Sequence, residues 1–404
     1  MPKRTHRPLA RLAPVLLVIL AMAPTPACAG PDSDGVYRTD HESFNKTVVV
    51  EDLDNPWSMA ILPDGRWLVC EKEGTLRVVQ DGRLLDQPVR GTPDVHPAGQ
   101  GGLLEVAVHP DYAEPGNRWV YLAYSHPIED ANGRTVAMTR VVRGRITADN
   151  RWTDQETIFE APPSSYLRGR NHYGTRIVFH NGYLFLPIGD RGVMRHAQDL
   201  SLPNGKVHRV FDDGRIPDDN PFVNHPDHPD ALPTIWTYGN RNPQGLNLRP
   251  TPPGTTAPPQ LWSVEHGPRG GDELNLIRPG INYGWPEITY GINYNGTPIT
   301  DKTEAPGMEQ PVVYWTPSLA VCGMDFYTGD RFPNWDGDLF IAALIKQEVR
   351  RVRLHPTEPR VTEQEVVIKD EGRVRDIHVT EDGQLYVVFH RPGQIVRLDP
   401  VTGP

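Results

Sequence analysis

The chain has 404 residues, with 41 Lys and Arg against 51 Asp and Glu and a formal net charge of −10. An acidic surface repels phosphate backbones, which argues against a nucleic-acid partner, and it favours cations as ligands. Three cysteines are too few for a disulfide framework or a cysteine-rich metal site.

The first 29 residues open with Lys3, Arg4, Arg7 and Arg11, pass through an apolar run, and finish Ala27-Cys28-Ala29. That is the form of a secretory signal, too short and too rich in Pro to span a bilayer. Cleavage after Ala29 leaves a domain of residues 30–404, in which 41 basic residues less those four leaves 37 against 51 acidic, a net charge of −14. Cys28 offers the alternative of a lipid anchor, although Thr25-Pro26-Ala27 lacks the usual aliphatic residue. No other stretch is long and apolar enough to cross a membrane. An exported protein, periplasmic or secreted, is expected, as a monomer or homodimer. Its remaining cysteines, Cys70 and Cys322, could pair or stay as buried thiols.

Along the chain one pattern recurs: a turn dipeptide, then an alternating apolar strand. Asp64-Gly65 introduces the first case, in "LPDGRWLVCEKEGTLRVV". Asn117, Asn181-Gly182, Asp336-Gly337 and Asp382-Gly383 introduce four more, and a weaker copy lies near Leu261. Asn-Gly and Asp-Gly supply the positive φ of tight hairpins, and alternation buries one face of the strand that follows. Pro (42) and Gly (37) are scattered without a seam, and no long window keeps a helical period. The expected class is all-β. Six units of roughly 60 residues fit a six-bladed β-propeller with four-stranded antiparallel blades, and a pair of β-sandwiches is the competing architecture.

Five stretches carry polar chemistry. "GQGGLLEVAVHPDY" holds Gln100 and, where a strand gives way to a loop, His109, which reads either as a turn cap or as a general base. "YGNRNPQGL" sets Arg241, Asn242 and Gln244 on one short loop, suited to a carbonyl-rich anion or to tying its own turn. "EHGPRGGDELN" exposes the carbonyls of Gly267 and Pro268 beside Asp272 and Glu273. Those are oxygens a hard cation such as Ca²⁺ accepts, without the spacing of an EF-hand. "GRVRDI" puts Arg373 and Arg375 on one strand face, a costly pairing unless an anion sits between them. Lys346 interrupts an apolar strand and raises the same question, or snorkels outward. No dinucleotide fingerprint, nucleophile elbow or zinc-protease helix motif is present.

Taken in order, "GQGGLLEVAVHPDY", "HYGTR", "IGDRG", "YGNRNPQGL", "EHGPRGGDELNLI", "NYGWP", "FYTGDRFP" and "GRVRDI" closely resemble the soluble pyrroloquinoline quinone (PQQ)-dependent sugar dehydrogenases of the aldose sugar and glucose/sorbosone dehydrogenase family. The resemblance runs from about Pro56 to Pro400. It implies a six-bladed propeller that uses PQQ and Ca²⁺ to oxidise aldose sugars at the anomeric carbon to lactones, passing electrons to an external acceptor. Position by position, it implies His109 as the general base and Arg241 beside the reactive quinone carbonyl. Asn242 and Gln244 would contact PQQ, and Lys346, Arg373 and Arg375 would pair with its carboxylates. Gly267 and Pro268 would hold the Ca²⁺ that polarises PQQ, and Glu273 and Tyr283 a structural Ca²⁺. Where the glucose-oxidising branch has Gln beside a histidine, this chain reads His172-Tyr173. That implies a changed sugar pocket, with Tyr173 and Gln100 as its candidate contacts. A metal-dependent hydrolase and a propeller that binds without catalysis are the other two classes the sequence leaves open.

Overall fold

The structure, a computed structural model, describes residues 30–252 and 254–401; the expected signal segment 1–29, with Cys28, lies outside the described residues. Two strands, β1 (Tyr37–Arg38) and β2 (Ser43–Val50), come before the first blade. Blade one is β3 (Pro56–Ile61), β4 (Trp67–Glu71), β5 (Leu76–Gln80) and β6 (Arg83–Leu84). Blade two is β7 (Leu103–Val108), β8 (Val120–Glu129), β9 (Thr135–Ile146) and β10 (Trp152–Glu160). Blade three is β11 (Val178–His180), β12 (Tyr183–Ile188), β13 (Lys206–Phe211) and β14 (Ile235–Tyr238). Blade four is β15 (Pro243–Arg249), β16 (Gln260–Glu265), β17 (Asp272–Leu276) and β18 (Val313–Trp315). Blade five is β19 (Val321–Phe326), β20 (Leu339–Ala343), β21 (Glu348–Leu354) and β22 (Val361–Lys369). Blade six begins with β23 (Arg373–Val379), β24 (Leu385–Arg391) and β25 (Gln394–Pro400).

Every blade is antiparallel, and sequence neighbours pair within it. The last blade is completed by the start of the chain: β2 pairs with β25 from Phe44↔Pro400 to Val50↔Ile395, and β1 adds a fifth strand. The first strands of the blades pack on one another around the axis, and β23 meets β3 to close the ring. This six-bladed propeller replaces the competing pair of sandwiches. Among the described residues there is no α-helix, only three short 3₁₀ turns.

The six turn signals fall at one structural place, the hairpin between the first and second strand of each blade. Gly65, Gly182, Gly337 and Gly383 there have φ of 88°, 78°, 81° and 77°, which a residue without Cβ adopts freely. All six hairpins therefore lie on one face of the disc. The opposite face receives the segments that lead into the first strands. Five of those strands carry a bulge as they start, at Pro56/Ser58, Leu103/Glu105, Pro243/Gly245, Val321/Met324 and Arg373/Val374. A bulge twists the strand and re-aims side chains, as is common beside functional sites.

Six apolar wedges fill the spaces between neighbouring blades. The wedge between blades five and six contains Phe44, Trp335, Phe340, Val349 and Val387, each fully buried. Near the axis, Arg176 donates to Glu105 of blade two at 3.0 Å and to Asp376 of blade six at 3.1 Å, tying three blades with one guanidinium. Cys70 and Cys322 are both buried free thiols.

Candidate active site

On the face opposite the hairpins, a cavity of about 960 Å³ opens among the starts of the first strands. Gln100 precedes β7, Gln244 begins β15, Gly267 and Pro268 follow β16, and Arg373 and Arg375 begin β23; all six line it. The expectation that these distant motifs converge therefore agrees with the geometry. Trp57, His266, Arg269, His390, Arg391 and Lys72 also line it, unforeseen from the sequence.

Arg375 lies 3.6 Å above the Trp57 ring and donates to Gln244 Oε1 at 2.9 Å. Burial lowers its guanidinium to about 10, where it still carries its charge at neutral pH. Arg373, Arg375 and Arg391 have no carboxylate partner among the described residues. Buried side-chain nitrogens of Arg241, Asn242, His266, Arg375 and His390 likewise have no hydrogen-bond partner there. Orphaned buried donors are rare in folded proteins and cost about 1–3 kcal/mol each. A planar, carboxylate-bearing group such as PQQ fits this wall: an aromatic face, unpaired guanidinium groups and unused donors.

Beside the cavity, the Gln100 side chain accepts from the His172 backbone N–H at 2.8 Å. The His172 ring donates from Nδ1 to Asp190 Oδ1 at 2.5 Å, since a carboxylate can only accept. Asp190 also accepts from Gly192 N at 2.7 Å and from Trp285 Nε1 at 2.8 Å, which fixes its orientation. Nε2 of His172 is left with a lone pair and no partner among the described residues. Burial lowers the His172 pKa below the ordinary imidazole value; Asp190 opposes that shift and the Arg241 charge reinforces it. The ring is therefore a neutral base at pH 7. Arg241 is pinned in turn, its Nη1 donating to the carbonyls of His266 at 2.8 Å and Gly267 at 2.9 Å.

Two places suit a hard cation. Gly267 and Pro268 turn toward the main cavity, and although Gly267 O already serves Arg241, a carbonyl has a second lone pair. Behind them a void of about 10 Å³, room for one water-sized particle, is lined by Glu265, Glu273, Tyr283 and Thr289 among others. Glu273 is pushed up to about 8, chiefly by burial and then by the Glu265 charge. The two carboxylates share one amide, Asn275 Nδ2, at 3.1 and 3.3 Å, and Asn275 Oδ1 is buried without a partner. Paired buried acids need a proton or a cation, and this donor set fits Ca²⁺. The Tyr283 hydroxyl is spent on Leu276 O and Arg278 N, so only its carbonyl could serve a metal.

Of the expected residues, Arg241, Glu273 and Tyr283 line the smaller void rather than the cavity, and His109, Asn242, Tyr173 and Lys346 line neither. His109 ends β7 on the hairpin face, and at ~3.3 Å per residue the strand carries it about 20 Å from the cavity end. There it pairs with Asp212 at 2.9 Å and packs near Phe179. Tyr173 is fully buried beneath Arg191, with which it stacks at 3.4 Å. Lys346 does not line the cavity, whereas Ile345, 61% exposed, does.

A family model for "Glucose / Sorbosone dehydrogenase" matches residues 53–397. The aldose sugar dehydrogenase YliI of Escherichia coli (strain K12) is 42% identical over 365 residues, covering 89% of this chain and 93% of that protein. Among solved structures, the soluble aldose sugar dehydrogenase from Escherichia coli in its apo form superimposes with a TM-score of 0.80 at 41% identity, over 89% of this chain and 100% of that one. The PQQ-bound form of the aldose sugar dehydrogenase from Streptomyces coelicolor gives 0.68 at 27% identity, over 88% and 98%.

Proposed function

The chain belongs to the glucose/sorbosone dehydrogenase family, and from that premise we propose that it is a PQQ- and calcium-dependent oxidoreductase that converts aldoses at the anomeric carbon to lactones. The observation that carries this reading is a neutral His172 ring held by the Asp190 carboxylate, beside a cavity whose Arg373 and Arg375 lack carboxylate partners among the described residues. A propeller that only binds has no need of a proton acceptor, and a metal-dependent hydrolase would need acids where this cavity has cations.

PQQ, when bound, supplies the two-electron acceptor for the hydride. The protein contributes position and electrostatics. His172 takes the anomeric hydroxyl proton at Nε2, and Asp190 stabilises the imidazolium that results. The base role expected of His109 is thus reassigned to His172, which sits at the correct end of its blade. Arg241, pinned through two carbonyls, presents fixed positive charge where negative charge develops. Gln244, Asn242, Arg373 and Arg375 would hold the cofactor. Gly267 and Pro268 would hold its calcium, and Glu273, Glu265 and the Tyr283 carbonyl a second, structural calcium. Electrons leave to an external acceptor, in keeping with an exported enzyme. Among the described residues no helix is long and apolar enough to cross a membrane.

The test is dye reduction by the purified protein with a panel of aldoses, before and after adding PQQ and Ca²⁺. Activity requiring both, and lost with a chelator, is expected. Silence across the panel, together with no retention of quinone absorbance on gel filtration, would leave a binding propeller instead.

A further inference from the structure

We infer that Lys206, a buried ammonium at the start of β13, is a positioning residue for the proposed proton transfer: it fixes the cavity-face loop that carries Asp190, and Gln198 and Trp285 pass that hold to the carboxylate. The inference rests on the oxidoreductase reading and deepens it, adding a residue that acts on His172 without touching sugar or cofactor.

The starting point is a cation in an unusual place. Lys206 is fully buried, and no carboxylate pairs with it among the described residues. Its Nζ donates to the carbonyls of Asn204 at 2.7 Å, His196 at 2.9 Å and Ala197 at 3.1 Å. An ammonium has three donors and no acceptor, so these carbonyls use it completely. Burial lowers its pKa to about 7, and Asp199 opposes that shift. The three acceptors match the charged form, which alone has three N–H groups to give. His196 and His208, the other titratable groups beside it, are kept neutral by burial. A buried charge is costly, and a well-packed apolar side chain often replaces one without loss of stability. What an apolar side chain cannot do is hold three carbonyls in one arrangement.

Those carbonyls belong to the loop of residues 189–205, between β12 and β13. Asp190 opens the loop, and the 3₁₀ turn Met194–Ala197 fills its middle. Carbonyls at the end of such a turn lack partners within it, and a lysine can supply the missing donor. Ala197 O also accepts from Gly239 N at 2.9 Å, which joins the loop to the segment leading into blade four. Gln198, the next residue, reaches across that segment. Its Nε2 donates to Asn282 Oδ1 at 3.0 Å and to Trp285 O at 2.7 Å, and its Oε1 accepts from Asn282 Nδ2 at 2.8 Å. Gly239 makes room for this pair, since a Cβ there would lie 2.1 Å from Asn282 Oδ1. Trp285 is thus gripped at its backbone. Its indole donates to Asp190 Oδ2 at 2.8 Å, and its ring lies 5.2 Å from the Arg241 guanidinium. The path runs from Lys206 through the turn and Gln198 to Trp285, then to Asp190 and the His172 ring.

The test compares Lys206→Met, Gln198→Ala and Trp285→Phe, alone and combined, with Asp190→Asn as the benchmark for complete loss. One readout is steady-state dye reduction on PQQ-loaded protein. The other is the His172 pKa, followed by NMR of its ring Cε1–H in the quinone-free full chain and assigned by its absence from His172→Gln. Asp190 keeps its bonds from Gly192 N and to the Arg241 backbone, so the loss is partial. In Lys206→Met and Gln198→Ala, kcat falls about 2- to 30-fold, the range for residues that act through a network. KM stays within about twofold, because no ground-state contact to the sugar is removed. The His172 pKa moves down, toward its value in Asp190→Asn. Adding Lys206→Met to Trp285→Phe lowers kcat little further, since the link is already cut. A lysine that only stabilises the fold lowers Tm while kcat and the His172 pKa keep their wild-type values, and that result overturns the inference; so does a loss that multiplies in full with that of Trp285→Phe. If Lys206→Met does not fold, Gln198→Ala decides by the same two readouts. If the wild type oxidises no aldose but the His172 pKa shifts as expected, the positioning stands and the oxidoreductase reading falls.

Discussion

Replacing Asp190 by Asn tests the proton-transfer geometry at its most constrained point. Asp190 accepts three hydrogen bonds, from His172 Nδ1, Gly192 N and Trp285 Nε1, at 2.5, 2.7 and 2.8 Å. A carboxylate accepts on both oxygens, but an amide accepts on one only. The substituted amide must either point its NH₂ at the Trp285 donor or point it at His172 and Gly192, and the latter choice drives the imidazole proton to Nε2. The first choice keeps the tautomer and loses the charge that stabilises the imidazolium. A hydrogen bond to a charged group is worth about 1.5–3 kcal/mol, which converts to a kcat about 10- to 150-fold lower. The second choice removes the base and brings the loss toward roughly 10⁴-fold, as tautomer reversal does in Ser-His-Asp enzymes. The pH profile adds a sign. Asp190 raises the His172 pKa against the lowering effect of burial, so losing it moves the acid limb of kcat/KM to lower pH. The assay is steady-state dye reduction across the acid and neutral range on PQQ-loaded protein, with quinone occupancy measured separately. An Asp190→Asn enzyme with an unchanged plateau and an unmoved acid limb would sink the reasoning, and so would a His172→Ala enzyme with near-normal kcat.

His109→Ala is expected to leave kcat within a factor of about two and to lower stability by about 1–2 kcal/mol, read by urea denaturation, because it removes the ring's hydrogen bonds with the Asp212 carboxylate and the Asp111 backbone N–H on the far face. Glu273 is raised from an ordinary 4.5 to about 8 in the metal-free protein. Its contribution to stability is therefore complete below pH 4.5 and is lost as pH rises through about 8. Glu273→Gln should flatten that alkaline loss and should also abolish the rise in Tm that added Ca²⁺ gives the wild type; a Ca²⁺ response that survives would place the metal elsewhere. Trp335→Ala empties a fully buried site that packs on Phe332, Phe340 and Phe44, and should cost about 3–5 kcal/mol in denaturant titration.

The fold is readable because its repeat is written in chemistry that local backbone demands. Asn181-Gly182 or Asp382-Gly383 must turn wherever it is placed, and four such dipeptides, with the signals at Asn117 and near Leu261, count six blades. The site is readable as a set of loops: Gln100, Gln244, Gly267, Pro268, Arg373 and Arg375 do meet. What sequence alternation does not encode is which end of a strand faces the ligand. His109 and Gln100 flank the same strand; the turn at Asn117 marks the His109 end as the hairpin end, but that the cavity lies at the other end is a property of the closed ring. His172 carries one usable signal, its place in "HYGTR" just ahead of "IGDRG", where the carboxylate that holds its ring is found. Lys346 misleads for a different reason. Read as a strand interruption, it sits instead in the turn between β20 and β21, where Leu344 and Ile345 line the cavity and Lys346 does not. That Arg391 stands opposite Arg373 is invisible in the sequence, because register between β23 and β24 is a tertiary fact.

The pairing of β2 with β25 has a consequence for how the molecule is made. These strands lie some 350 positions apart in the chain, so the ladder that joins them can form only after nearly all residues are available. Until then β2 is an open edge with unsatisfied amides, the kind of surface that recruits other chains. The ring also has no cavity until it closes, because Trp57 of blade one and Arg375 of blade six come together only at that seam. Such non-local closure makes for slow folding. The appearance of a binding pocket is thereby tied to the last strand in place.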